Sequence, residues 1–278
     1  LDDQQEGALI YYRRQNVTEK EYRQHPAISR SELWHIRESP EKFKWYREHP
    51  EQPSPALIFG QVFHKLALEP NTFYDEFAVA PIIDRRTKDG KAAWAEFVES
   101  AADKTVIDCD SYHKAQEMVD CMYRVPFVKK LLDGEHEKPV FWTDDLTGEA
   151  CKARYDALVE VNGQPIIVDL KTTTDASTDA FMRSAIRLGY DFQSGMYCDG
   201  LKKTTGKNPL FVFIAIEKEP PYAVNILQAD EAFVQHGYDV FRELIGIYHE
   251  CKESGLWYGF LGKYGVINSL NLPAWAAE

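Results

Sequence analysis

The sequence predicts an α/β domain with a mixed central β-sheet flanked by helices, and three observations carry that reading. Helical patterns fill the first half, a three-strand meander follows over residues 139–171, and more helices and two further strands, 210–217 and 222–227, complete the chain. A composition of 44% hydrophobic and 13% aromatic residues over 278 positions is ample for a packed core. Two aspartates, Asp156 and Asp169, fall in consecutive predicted strands, where strand propensity disfavours them.

The elements follow from local signals. The first 28 residues are polar with aromatic anchors Tyr11, Tyr12 and Tyr22, and read as an extended arm before a single domain over 29–278. Ser29-Arg30-Ser31-Glu32 is a capping box that opens a helix carrying Leu33 and Ile36. Ser39-Pro40-Glu41 opens another with Phe43 and Tyr46 inward, and the proline-rich stretch 50–55 is a loop. Residues 56–69 suit a buried helix stopped by Pro70; a polar loop over 84–90 leads to helices over 92–100 and 111–132. The meander comprises strands 139–143, 151–161 and 165–171, with a turn at 144–148 and another at Asn162-Gly163. Asp175 or Ser177 caps a helix ending at Leu188-Gly189, and 191–201 forms the next. The last two strands join at Glu219-Pro220-Pro221, and a helix over 230–253 closes at Ser254-Gly255 before an irregular tail to Trp275.

Composition narrows the function classes. No run approaches the roughly 18 apolar residues that span a bilayer, and the N-terminus lacks the basic and apolar regions of a signal peptide. The chain begins without Met, as a piece of a longer protein would. Cys109, Cys121, Cys151, Cys198 and Cys251 are scattered and odd in number, which reads as reduced thiols in a cytoplasmic protein and neither a disulfide framework nor a zinc site. A net charge of −12 argues against nonspecific coating of nucleic acid. It leaves room for a local basic channel drawing on Arg30, Arg37, Lys42, Lys44, Arg47, Arg85, Arg86, Lys88, Arg183 and Arg187, each individually more often a solvated surface charge.

The candidate site grows from strand alternation. Asp169 and Lys171 share a face while Val168 and Leu170 point into the core, and a hairpin partner brings Asp156 beside them. Asp-x-Lys also arises as an ordinary exposed ion pair, but the apolar approach Ile166-Ile167-Val168 implies partial burial and a need for a partner. Converging carboxylates repel unless a cation sits between them, and hard oxygen ligands suit Mg²⁺ or Mn²⁺. A lysine at the rim can orient water, which completes a set of groups able to hydrolyse a phosphodiester. Gly60 and His64 share a helical face; the glycine permits close backbone approach, and the histidine is either a satisfied core residue or a metal ligand. Gln193 and Tyr197 likewise share a face, the tyrosine as a core aromatic or the pair bonding Lys171 or a phosphate. Glu137, just before the first strand of the meander, is a further site carboxylate or an exposed charge.

Taken together, these residues resemble the PD-(D/E)xK nuclease superfamily, and within its RecB-like branch the RecE-type exonucleases (exodeoxyribonuclease VIII). The helix opening at Ser29, Ser31 and Leu33, then Ser39-Pro40 and Phe43, is similar to that branch's N-terminal signature. Gly60 with His64, Asp156, Asp169 with Lys171, and Gln193 with Tyr197 follow in the family's order. Leu68-Glu69-Pro70, Ala80-Pro81, Arg85-Arg86-Thr87, 168–173 and the tail through Leu270, Leu272, Pro273 and Trp275 extend the resemblance over nearly the whole chain. Two positions depart from the pattern: Tyr155 stands where the superfamily has Pro, and Ser39 stands where some relatives carry an iron–sulfur cysteine, so no iron–sulfur cluster is expected.

The resemblance implies a restriction-endonuclease-like core and a Mg²⁺-dependent exonuclease, with Mn²⁺ able to substitute, acting by a two-metal type of hydrolysis. It would degrade linear double-stranded DNA from 5′ ends and leave 3′ overhangs for a single-strand annealing protein, often as a phage-derived function. A homo-oligomeric ring, trimer or tetramer, is implied, and encircling DNA holds it without a basic surface. Asp156, Asp169, the Leu170 backbone carbonyl and His64 would hold metal; Lys171 would activate or orient water; Gln193 and Tyr197 would position Lys171 or the strand. Ser29, Arg30, Ser31, Arg85 and Arg86 are the candidate DNA contacts. The rival readings are a structure-specific or RecB-like endonuclease and an inactive DNA-end-binding scaffold; the intact carboxylate set counts against the second.

Overall fold

A computed structural model describes residues 17–50 and 52–272. Tyr11, Tyr12 and Trp275 lie outside the described residues. The chain runs α1 Glu19–Gln24, β1 Ile28–Ser29, α2 Arg30–Glu38, α3 Pro40–Glu48, α4 Pro55–Leu68, α5 Phe73–Glu76, β2 Phe77–Val79, α6 Lys88–Ser100, β3 Thr105–Ile107, α7 Cys109–Tyr123 and α8 Pro126–Leu131. It continues β4 Glu135–Thr143, β5 Ala150–Val161, β6 Gln164–Thr173, α9 Thr178–Leu188, α10 Tyr190–Thr205, β7 Leu210–Glu217, β8 Val224–Ala229 and α11 Glu231–Ser254. Among the described residues no helix is long and apolar enough to cross a membrane.

The mixed sheet expected from the sequence is centred on β5. Strand β4 pairs antiparallel with β5 from Thr143↔Ala150 to Glu135↔Leu158 and takes one edge of it. The other edge is divided: β1 lies parallel at Ile28↔Cys151 and Ser29↔Lys152, and β6 pairs antiparallel from Ala157↔Val168 to Val161↔Gln164. Between those two contacts β5 and β6 part, leaving a fork beside residues 153–156. Beyond β6 the sheet continues through parallel β7 and antiparallel β8.

Both faces of the sheet are covered. One core holds Leu33, Ile36, Phe43, Phe181, Phe192, Met196, Phe241 and Ile245 against Trp142, Tyr155, Phe211 and Phe213. The opposite core packs Phe63, Leu68, Met118, Met122 and Leu131 on Ala157, Val168, Leu170, Val212 and Ile214. Tyr155 sits in the first core and Ala157 in the second, so β5 passes from one to the other at Asp156.

Several elements differ from expectation for local reasons. The segment read as an extended arm contains α1, because Thr18 and Glu21 form a reciprocal capping box. The helix expected over 111–132 is two, α7 and α8, divided before Pro126, which lacks the N–H that would continue α7. Strand β4 begins at Glu135, earlier than expected, and therefore contains Glu137. Neither expected residue caps α9: the Asp175 carboxylate accepts the Ser177 N–H, and Ser177 makes no capping bond. The capping box at Ser29 and the serine cap at Ser39 form as read, and the Asp230 carboxylate caps α11.

Helices α10 and α11 meet backbone to backbone. A Cβ on Gly237 would stand 1.7 Å from the Asp191 carbonyl oxygen, and one on Gly195 would stand 2.1 Å from the Tyr238 nitrogen. The obstructing atoms are main chain, so a methyl there forces the helices apart and shifts Gln193 on α10. Gly237→Ala is expected to cost about 2–3 kcal/mol, read as a lower midpoint in urea unfolding; an unchanged midpoint would show that the helices separate freely.

Candidate metal and nuclease site

The site occupies the fork. Continuing the β5–β6 register would place Asp156 opposite Asp169, but the ladder stops at Ala157↔Val168. The Asp156 side chain takes over: its Oδ2 accepts the Leu170 N–H at 2.7 Å. Glu137 lies between the pairs His136↔Ala157 and Lys138↔Tyr155, hence opposite Asp156 on the other edge. It holds φ at +48°, a left-handed conformation uncommon for a residue with a side chain and a mark of local strain. Helix α4 brings His64 over the same point, with Nδ1 3.4 Å from Asp156 Oδ2. Ligand atoms of His64, Glu137 and Asp156 all lie within 4.8 Å of one another.

Asp169 turns the other way. It is 2% exposed, with Oδ2 2.6 Å from Lys171 Nζ and Oδ1 accepting a hydrogen bond from Gln193 Nε2. Lys171 Nζ in turn donates to Gln193 Oε1 at 3.1 Å and lies 4.6 Å from the Tyr190 ring centre. Gln193 thus holds both members of the Asp-x-Lys pair. Tyr197, one turn further on α10, accepts the Tyr155 hydroxyl proton at its carbonyl, 3.0 Å away, and its ring lies 5.4 Å from that of Tyr155.

The structure therefore brings together His64, Asp156, Asp169, Lys171 and Gln193, and it adds Glu137 from within β4. The expected ligand grouping of His64, Asp156 and Asp169 differs from the observed donor cluster, where Glu137 takes the third place because Asp169 faces its nearest cation and amide. At Leu170 the visible contribution is the N–H to Asp156 rather than the carbonyl. The close backbone approach expected at Gly60 is absent, since a Cβ there would meet nothing described within 4 Å. Position 60 faces open space one helical turn from His64.

The candidate DNA contacts have partners within the fold. Ser29 Oγ donates to Glu32 Oε2 at 2.6 Å and lies 3.2 Å from Ser31 Oγ. Arg30 Nη2 donates to the carbonyls of Leu188 and Gly189, and its guanidinium stacks 5.0 Å from the Trp34 ring centre. Arg85 stacks over Trp94, and Arg86 pairs with Asp84 at 2.9 Å. Sequence reasoning missed Arg154, whose Nε lies 2.7 Å from Glu137 Oε2. It stands two residues before Asp156, a spacing that alternation could have exposed.

Burial and crowding set the protonation states. Burial lowers the His64 pKa, but the adjoining Asp156 carboxylate outweighs it and raises the imidazole to about 9. Burial, with Asp156 nearby, pushes Glu137 up to about 8. Asp156 is itself held below the ordinary carboxylate range, since His64, Lys171 and the Leu170 N–H together overcome its burial. Burial raises Asp169 in spite of Lys171. Burial acts to lower Lys171, yet Asp169 and Asp156 hold it above the usual lysine range and therefore charged. Two carboxylates and an imidazole that cannot all shed their protons alone fit a divalent cation, which would replace those protons.

Residues 29–265 match the family described as "PDDEXK-like domain of unknown function (DUF3799)". The chain belongs to that family. No curated protein matches it. Among solved structures, this PDDEXK-like chain is similar to a Eubacterium rectale protein named for an inferred exonuclease activity, at TM-score 0.61 and 16% identity, covering 93% of this chain and 96% of that one. At that identity the likeness shows the fold. A second solved structure, SSO0001, has a TM-score of 0.32 and 13% identity over 68% of this chain and 86% of that one, too low to support an argument.

The sign of the pH dependence follows from His64 and Glu137. Both bind a proton more tightly folded than unfolded, at about 9 against 6.5 and about 8 against 4.5. Without metal, the stability these two groups contribute is therefore fully present below their unfolded values and is lost as pH rises through about 8 and 9. A divalent cation needs both groups deprotonated, so its affinity rises over about pH 7 to 9 and its binding releases protons. Calorimetric titration of Mn²⁺ at both ends of that range, in buffers of different ionisation enthalpy, should show tighter binding at the higher pH with buffer-dependent heat. Equal affinity with no proton release would contradict the assignment.

Proposed function

We propose that the protein is a divalent-metal-dependent deoxyribonuclease that digests linear duplex DNA from its ends, with Mg²⁺ as the working metal and Mn²⁺ able to replace it. One observation carries this reading: three metal-binding side chains within 4.8 Å of one another, beside a buried aspartate joined to a charged lysine through Gln193. The fold, the family and that residue set support a nuclease hydrolase. The exonuclease assignment draws on the RecE-type resemblance and on the activity for which the Eubacterium rectale protein is named.

His64, Glu137 and Asp156 would hold the metal, with Asp169 and the Leu170 carbonyl completing the set. When bound, a divalent cation stabilises charge on the phosphate oxygens and acidifies water. The protein's own part is positional. Lys171, kept charged by Asp169 and Asp156, donates hydrogen bonds and does not take up a proton, so it orients water and stabilises developing negative charge. Gln193 fixes the lysine by accepting from Nζ while donating to Asp169. Tyr197 and Tyr190 line the same helix toward the strand. Attack from 5′ ends, 3′ overhangs passed to an annealing protein and ring assembly rest on the resemblance alone, and a cytoplasmic setting rests on the scattered cysteines.

With Mg²⁺ and 5′-end-labelled linear duplex, the wild type is expected to release label as products of mononucleotide scale while leaving covalently closed circles intact. Lys171→Ala should lower the rate by about two orders of magnitude or more. Near-normal digestion by the variant would remove the lysine from the mechanism, and nicking of closed circles would favour the endonuclease reading.

A further inference from the structure

Arg154 is partly buried between two acidic groups, one from α1 and one from β4. Its Nε lies 2.7 Å from Glu137 Oε2, while its Nη1 is in contact with Glu19 Oε2. On the β4–β5 ladder Arg154 pairs with Pro139, so Glu137 is its diagonal neighbour, within reach of a long side chain. Glu19 is the first residue of α1. Glu19 Oε1 also pairs with Arg23 one turn on in the same helix, and α1 is further seated by Lys152, whose Nζ donates to the carbonyls of Tyr22 and His25 at 3.0 and 2.8 Å, and by the Arg154 guanidinium 5.3 Å from the Tyr22 ring centre.

We propose that Glu19 is a positioning residue for the metal centre, acting through Arg154 on Glu137. This inference rests on the metal site proposed above. A guanidinium beside a metal-binding carboxylate competes with the metal for that carboxylate's charge. Glu19 draws Arg154 toward α1 and limits it to one oxygen of Glu137, so the other oxygen is left to the cation. The contact also fixes the carboxylate's orientation, as hydrogen-bonded partners of metal ligands do. Without Glu19, the whole of that positive charge falls on Glu137 and Asp156, in competition with the cation. The segment read from the sequence as an arm would thereby form part of the working site.

Glu19→Gln keeps the size of the side chain and removes its charge, and the seating of α1 through Lys152 is untouched. Direct calorimetric titration with Mn²⁺ at fixed pH is expected to show binding about tenfold weaker than wild type, with the thermal unfolding midpoint unchanged. In an Arg154→Gln background the same Glu19→Gln change should have no further effect on Mn²⁺ affinity, because the residue through which it acts is gone. Equal Mn²⁺ affinity in wild type and Glu19→Gln would overturn the proposal, as would a loss of the same size with or without Arg154. Wild-type protein that takes up no Mn²⁺ would overturn the metal site itself and this inference with it, whereas binding by wild type with no response to Glu19→Gln would overturn this inference alone.

Discussion

Two strands that pair along most of their length must separate where their aspartates would collide. Asp156 and Asp169 would face each other if the β5–β6 ladder ran one residue pair further, and in a medium of low polarity two such carboxylates cannot both be charged side by side. The chain resolves the conflict by ending the ladder at Ala157↔Val168 and giving the Leu170 N–H to the Asp156 side chain. The fork that results leaves room for His64 to approach from α4 on one side and Gln193 from α10 on the other. The placement of those helices has its own causes: α4 packs Phe63 and Leu68 into the core beneath β6, and α10 is drawn close by the glycine crossing with α11.

The same crowding explains how charge is distributed. His64 and Lys171 act as internal counter-cations, one on each aspartate, while Glu137, raised by its burial, has the Arg154 guanidinium beside it. A chain with a net charge of −12 offers little long-range attraction for DNA. Arg30, Arg85 and Arg86 are engaged with backbone carbonyls, an indole and an aspartate. On the proposed function, recognition of a phosphodiester would draw on short-range chemistry at the fork, where desolvation strengthens hydrogen bonds and ion contacts.

Much of this was legible in the sequence because it is local. Alternation along 165–171 placed Asp169 and Lys171 on one face, helical spacing placed Gln193 beside Tyr197, and a capping box and a serine cap located the starts of α2 and α3. What was not legible depends on long-range register or on conformations that composition does not encode. Glu137 takes a left-handed φ that no sequence rule assigns to glutamate, so its strand was read as starting after it. Strands β1, β2 and β3 are two or three residues long, below any periodic signal. The contact between Glu19 and Arg154 links positions far apart in the chain, and nothing in either neighbourhood announces the other. Gly60 was read as a point of close helix packing, the usual reason for a glycine in a buried helix, whereas here it faces open space beside His64.

Tyr155, the position where this chain departs from the superfamily's proline, shows how the site is tied to its surroundings. The side chain is fully buried in the core under α10, stacks near Tyr197 and donates its hydroxyl proton to the Tyr197 carbonyl. Its neighbour Asp156 faces the metal ligands, and Arg154 on the other side faces Glu137 and α1. Three consecutive residues of β5 thus engage α10, the ligand cluster and the N-terminal helix. A proline at 155 would fill the ladder position but could neither reach α10 nor donate to it. In this chain the tyrosine couples the strand that carries Asp156 to the helix that carries Gln193, so the spacing of Asp156 and Lys171 is set by a packed aromatic contact as well as by the fork.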